Sequence, residues 1–222
     1  MNRIAFGMNA ALAWLGVILT VLISTVDGYA RTAVEPGLYG GTHLGWPGAP
    51  MRFLDSLSYF TIWSNIVVAV STTLLALQPT VDTFWRRALR LCGLMMITIT
   101  AIVYAVLLAP TTVVSGWSHI TNQLTHIVVP VVTVVVWLVW GPRGWIGWRT
   151  LPASLVIPVA WVVYMLVRGA IGGTYPYAFV NAGTRGYLAV FTTVAAIFAF
   201  GLLIGGVFGV IDRLLTRARP RR

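Results

Sequence analysis

Hydrophobic residues in this chain neither alternate nor keep to one helical face; they run. Six stretches, at about 8–26, 57–78, 91–110, 120–141, 151–169 and 187–211, are apolar on all sides. Each is close to the roughly 20 residues that a helix needs to cross a bilayer core. Membrane-barrel strands are shorter and alternate in hydrophobicity, so the runs are read as helices. The pattern predicts an all-α polytopic membrane protein: one domain over residues 1–222, a bundle of six transmembrane helices. Arg3 ahead of the first run and small residues near Ala30 also fit a cleaved leader. The length of that run, and Asp27 and Tyr29 at the would-be cleavage site, favour a retained span. No repeat of 20–50 residues is visible, which speaks against an inverted-repeat transporter.

The segments between the runs set the orientation. With six spans both termini lie on one side. Placing them in the cytoplasm puts eleven of the fifteen arginines inside, leaving Arg31, Arg52, Arg168 and Arg185 outside. The tail RLLTRARPRR is then expected along the anionic inner leaflet. Trp85, Trp140, Trp145 and Trp148 fall at the inner boundary and Trp46 and Trp117 at the outer one, as an aromatic belt. Two Gly- and Pro-rich connections, about 28–56 and 169–187, face outward, and the longer is expected to fold over the outer mouth.

Composition sharpens this picture. The chain is 58% hydrophobic and 9% charged, against about 45–50% and 25% for soluble domains. The net charge of +10 comes entirely from arginine, with no lysine. Because those arginines sit in breaks between apolar runs rather than on a solvated patch, nucleic-acid binding is not expected. One cysteine, Cys92, excludes an intrachain disulfide and a thiolate metal cluster. His126 is the one histidine well inside a span, and the spans hold no Asp or Glu. Haem ligation by paired histidines and a metal site are therefore not expected, and no cofactor is implied.

Polar groups inside spans are costly and point to function. The second span opens SLSYFTIWSN, where Ser58, Thr61 and Asn65 form one stripe with Ser64 alongside. The fourth opens HITNQLTHIVVP, where Asn122 and His126 share a face and Pro130 deprives the His126 carbonyl of its helical N–H. Both spans enter from outside. Thr61 and His126 then lie roughly 6 and 9 Å into the outer leaflet at 1.5 Å per residue, nearly level. A hydroxyl and an imidazole at one depth are the minimal pair for nucleophilic catalysis. The plainer reading is a threonine bonded to its own i−4 carbonyl and a histidine bridging two helices. Arg168, with Tyr164 one turn earlier, is either a clamp for a carboxylate or phosphate or a snorkelling cation. Tyr175, Pro176 and Tyr177 are either a substrate rim or interface aromatics in a turn. Met95 and Met96 read as helix packing.

SYFTIWSN (58–65), NQLTHIVVP (122–130) and TYPYAFVN (174–181), in that order in a six-span chain, resemble the androgen-induced and androgen-dependent TFPI-regulating proteins and their bacterial relatives. The resemblance covers about residues 57–181. It implies an intramembrane threonine hydrolase of fatty acid esters of hydroxy fatty acids, with Thr61 as nucleophile and His126 as base. The animal members carry further histidines near the second motif and before the Tyr-Pro motif, where this chain has Asn122 and Gln123, and Val167 and Arg168. The expected function is a lipid-ester hydrolase of a bacterial cytoplasmic membrane, its site toward the outer leaflet. Asn65 or Asn122 would orient the imidazole or bind the oxyanion, and Arg168, Tyr164 and Tyr175 would bind substrate. Its partners would be membrane lipids and the ester, with oligomeric state open. A non-catalytic scaffold and a lipid or small-molecule carrier are the alternatives.

Overall fold

The computed structural model describes residues 2–31, 33–110 and 113–218. It is three-quarters helical with no strand among those residues. Six helices are long and apolar enough to span a membrane: α1 (Arg3–Thr25), α3 (Phe60–Leu77), α4 (Phe84–Leu108), α5 (Ser118–Trp140), α6 (Thr150–Gly172) and α7 (Tyr187–Arg217). The chain is an integral membrane protein built on these six. Arg219, Arg221 and Arg222 of the basic tail lie outside the described residues.

The helix ends follow from local chemistry. Asn2 caps α1 by accepting from the amides of Ile4 and Ala5, and Thr83 caps α4 by accepting from Arg86. Pro158 has no N–H for the Ser154 carbonyl, and α6 breaks there, one turn (Thr150–Ala153) standing apart from the rest (Val156–Gly172). α3 packs between α1 and α4, and α5 crosses α1 and α4. α3 and α4 are the most enclosed spans; α6 and α7 are the least. α7 leans on α4 through Gly201 and Gly205, which let Met95 and Ile99 approach its backbone. The outside of the bundle is apolar, with Ile18, Leu22, Val131 and Leu203 exposed, while Asn65, Thr72 and Thr133 are sealed inside. That inversion of the soluble pattern suits lipid as solvent.

The long connection holds a helix that the turn residues conceal, α2 (Ala49–Ser58). It buries Arg52, Asp55, Ser56 and Ser58 and exposes Met51, Phe53 and Leu54. Its polar face therefore looks inward and its apolar face outward, as expected of a helix lying at a membrane interface. Arg52 anchors it, donating to the carbonyls of Ser24 and Thr25 at the end of α1 and to those of His43 and Gly45. The free carbonyls of a helix C-terminus are a favourable seat for a cation. Asp27, the one non-glycine with positive φ among the described residues, pairs with Arg31 and accepts from the Gly45 amide. The two connections join where the Tyr39 amide donates to Tyr175 O and the Tyr175 amide to Gly37 O. Trp145, expected in the belt, is buried against Phe6, Leu75 and Val136.

Candidate functional site

Two irregularities bring the site together. At Tyr59 the backbone is extended (φ −73°, ψ 136°), so α2 stops and α3 begins afresh. Thr61 falls in the first turn of α3, where amides lack helical partners. The expected polar stripe is split by this break: Ser58 belongs to α2, and Thr61, Ser64 and Asn65 to α3. In α5 the missing N–H of Pro130 leads to a π-turn at Leu124–Val128, closed by the Val129 amide on the Leu124 carbonyl. A second π-turn, Tyr104–Leu108, ends α4.

Thr61 Oγ1 lies 3.0 Å from His126 Nε2. His126 Nδ1 faces the Asn122 carbonyl at 3.1 Å and Thr125 Oγ1 at 3.1 Å. The carbonyl can only accept, and the Thr125 hydroxyl already donates to the Thr121 carbonyl at 2.8 Å. Nδ1 therefore carries the proton, and the Nε2 lone pair is left to accept from Thr61. Thr61 does not bond its own i−4 carbonyl; the Leu57 oxygen is taken by the Trp63 indole N–H at 2.8 Å. The Tyr104 ring lies over the imidazole with centroids 4.3 Å apart.

The two asparagines do other work than expected. Asn122 orients His126 through its backbone carbonyl, while its side chain donates to the Tyr104 hydroxyl at 2.6 Å. Asn65 donates to the carbonyls of Thr61 (2.8 Å) and Thr125 (3.2 Å), tying α3 to α5 directly under the pair. With both side-chain amide groups committed to these partners, neither points an N–H at the Thr61 hydroxyl. Ser64 bonds Thr100 at 2.9 Å and fastens α3 to α4 at the same level.

Arg168 has a carboxylate from within the chain. Its Nη2 meets Asp55 Oδ1 at 2.5 Å, its Nη1 donates to Ser58 Oγ at 2.5 Å, and its guanidinium stacks on Tyr39 at 4.4 Å. Tyr164 bonds Ser58 Oγ at 2.7 Å. Both side chains thus fasten α6 to α2, and the fork that would clamp an acid is engaged. Burial pushes the Asp55 carboxyl above its ordinary value, with Arg168 pulling the other way. Tyr175 is buried where the two connections join, its ring pressed against Gly169, where any Cβ would collide with it.

Two residues further along the same expected rim, Tyr177 reaches the Thr61 hydroxyl. Its hydroxyl faces the Thr61 hydroxyl and the amides of Phe60 and Thr61, the free groups of the first turn of α3. Desolvation pushes its pKa up to about 12, so it stays a neutral donor. Thr61 and Tyr177 both line an apolar cleft of about 70 Å³ walled by α3, α4, α6 and α7, with Met96, Thr100, Trp161 and Phe198 among its walls. Met95 and Met96, read as packing, contribute to this wall as well as to the core. Among the described residues no group of three or more His, Cys, Asp or Glu side chains could hold a metal ion.

Sequence reasoning named Tyr177 only together with Tyr175 and Pro176, as a rim or as turn aromatics, and did not place it at Thr61; it did not single out Tyr104, which looks like any interface aromatic at the end of a span. Compared with protein-family models, curated proteins and solved structures, the chain matches none.

Proposed function

We propose that the protein is an intramembrane hydrolase of lipid esters, with Thr61 as nucleophile and His126 as general base. The observation that carries this reading is the 3.0 Å approach of Thr61 Oγ1 to the unprotonated nitrogen of His126, at the wall of an apolar cleft. As the Thr61 oxygen attacks the ester carbonyl, its proton passes to His126 Nε2. The carbonyl oxygen, now negative, accepts from the Tyr177 hydroxyl, itself polarised by the amides of Phe60 and Thr61. The intermediate collapses, the alcohol leaves with the proton from His126, and an acyl-threonine remains. Water, deprotonated by the same imidazole, then releases the acid.

The cleft suits an acyl chain, because its walls are almost wholly apolar and the reacting hydroxyl lies on one of them. The resemblance carried by the three motifs points to the same chemistry, with fatty acid esters of hydroxy fatty acids as the substrate class. The arginine distribution favours a bacterial cytoplasmic membrane with termini inside, which turns Thr61 toward the outer leaflet. Membrane lipids and the ester are its expected partners.

The test is hydrolysis of a long-chain fatty-acyl ester by the purified protein, with fluorophosphonate labelling in parallel. Thr61→Ala and His126→Ala should each lower kcat by at least about a hundredfold, and the double variant should be hardly worse than either, as for groups that act together. Thr61→Ser should keep part of the activity, since the hydroxyl survives. Near-normal turnover in a well-folded Thr61→Ala protein would sink the reading and leave a helix-packing scaffold in its place.

A further inference from the structure

Among the described residues, π-turns interrupt regular α-helix in two places, at Tyr104–Leu108 in α4 and at Leu124–Val128 in α5. Such turns are rare and gather at functional sites. Here the two meet. Tyr104 opens the first and His126 stands in the middle of the second, and their rings lie 4.3 Å apart between centroids with planes 30° from parallel. The extra residue of a π-turn rotates the helix by about 100°, so each turn sets the aim of one member of the stacked pair.

Tyr104 also holds the residue that sets the imidazole's proton. Its hydroxyl accepts from Asn122 Nδ2 at 2.6 Å, and the Asn122 carbonyl faces His126 Nδ1 at 3.1 Å. The imidazole needs such a hold for two reasons. Its χ2 torsion is broad and two-fold, and a half-turn would put a ring carbon where Nε2 meets Thr61. A competing donor is also at hand. The Thr125 hydroxyl, 3.1 Å from Nδ1, gives its proton to the Thr121 carbonyl; given to Nδ1 instead, it would move the imidazole proton to Nε2 and leave Thr61 facing a donor. From this stretch of α4 the apolar cleft takes Val103 and Leu108 as wall, and not Tyr104.

We propose that Tyr104 is the positioning residue of His126. Its ring bars rotation of the imidazole, and its hydroxyl, through Asn122, keeps the Nδ1 proton on the Asn122 carbonyl, so that the Nε2 lone pair stays aimed at Thr61. The role of this hold in turnover rests on the hydrolase reading above; the hold on the tautomer does not. Because Tyr104 meets the imidazole and not the cleft, it acts on the chemical step through His126 and leaves substrate binding alone.

The experiment takes the full chain in detergent, its histidines labelled for nitrogen NMR, alongside the ester assay. At about pH 8, where an ordinary histidine is uncharged, the His126 signals, identified by their loss in His126→Gln, should show one tautomer with the proton on Nδ1. Tyr104→Leu should bring in the Nε2–H tautomer and lower kcat about thirtyfold with KM nearly unchanged. Tyr104→Phe keeps the ring and should lose about fivefold in kcat. Asn122→Ala breaks the same hydrogen bond from its other side, so it should match Tyr104→Phe, and the double variant should fall no further. These two milder changes, read by both methods, decide the matter where Tyr104→Leu fails to fold. An Nδ1–H tautomer unchanged in every variant would overturn the proposal, as would a loss confined to KM or a double variant down by the product of the single losses. A protein that hydrolyses no ester but whose tautomer still switches in Tyr104→Leu would retire the hydrolase reading and keep the positioning role.

Discussion

A threonine near the start of a membrane helix would ordinarily return its proton to the carbonyl four residues back. Thr61 is denied that partner because the chain turns at Tyr59 and the Trp63 indole holds the Leu57 oxygen. Its hydroxyl is left to the imidazole. The equal depth of Thr61 and His126 was legible in the sequence, since helical rise fixes depth along a span once the span's start is known. Which way each side chain faces around its helix was not, and so the ring over His126 and the hydroxyl over Thr61 went unread. Tyr177 provides the sharpest check at this scale. In the proposed mechanism Tyr177→Phe removes one O–H from the developing oxyanion and little volume; kcat should fall about a hundredfold with KM nearly unchanged. A fall confined to KM would make Tyr177 a wall of the cleft and nothing more.

At the scale of elements, all six spans were legible, because a run of about 20 apolar residues has few alternatives in lipid. α2 was not. Its ten residues are too few for periodicity to stand out between glycines and prolines, and its polar face is the buried one. The sequence signals the departure in α5 through Pro130 but does not specify that α5 responds with a π-turn rather than a kink. That turn adds one residue and so rotates everything before it by about 100° relative to a regular helix. Pro130→Ala restores the N–H and allows regular winding. The expected result is a protein at least as stable to heat, with His126 turned away from Thr61 and esterase activity largely lost. Full activity together with raised stability would show that the π-turn does not set the imidazole's aim.

The whole molecule is asymmetric from end to end. On one face two connections are stitched to each other and to α1 by Arg52, Asp27 and the Tyr39–Tyr175 pairing; on the other, short basic segments bear Arg86, Arg87 and Arg143. Cysteine labelling of intact cells should modify Gly41→Cys and spare Gly147→Cys, both placed where a side chain meets no neighbour. Native Cys92 is buried and stays silent. Labelling at 147 from outside would reverse the orientation. Acid should loosen both faces. The Gly45 amide and Arg31 hold Asp27 below its ordinary 3.8, and Arg87 does the same for Asp82. A carboxyl whose pKa is lowered on folding stabilises the fold above its unfolded value and loses that contribution as pH falls through the folded one. Asp55, raised by burial, works in the opposite sense just above that window. Melting temperature should therefore hold from neutral pH to about 5 and drop below about 4; an Asp27→Asn protein should be less stable at neutral pH and show a shallower drop.

The cleft beside Thr61 is walled in part by α6 and α7, the two spans that the protein encloses least. For the hydrolase proposed above, this exposure lets an ester reach the hydroxyl by moving sideways within the leaflet rather than through bulk water. Concentration for such a catalyst is counted per area. Turnover should then follow the mole fraction of ester among its neighbouring lipids, and adding inert phospholipid at constant total ester should slow the reaction as though substrate had been withdrawn.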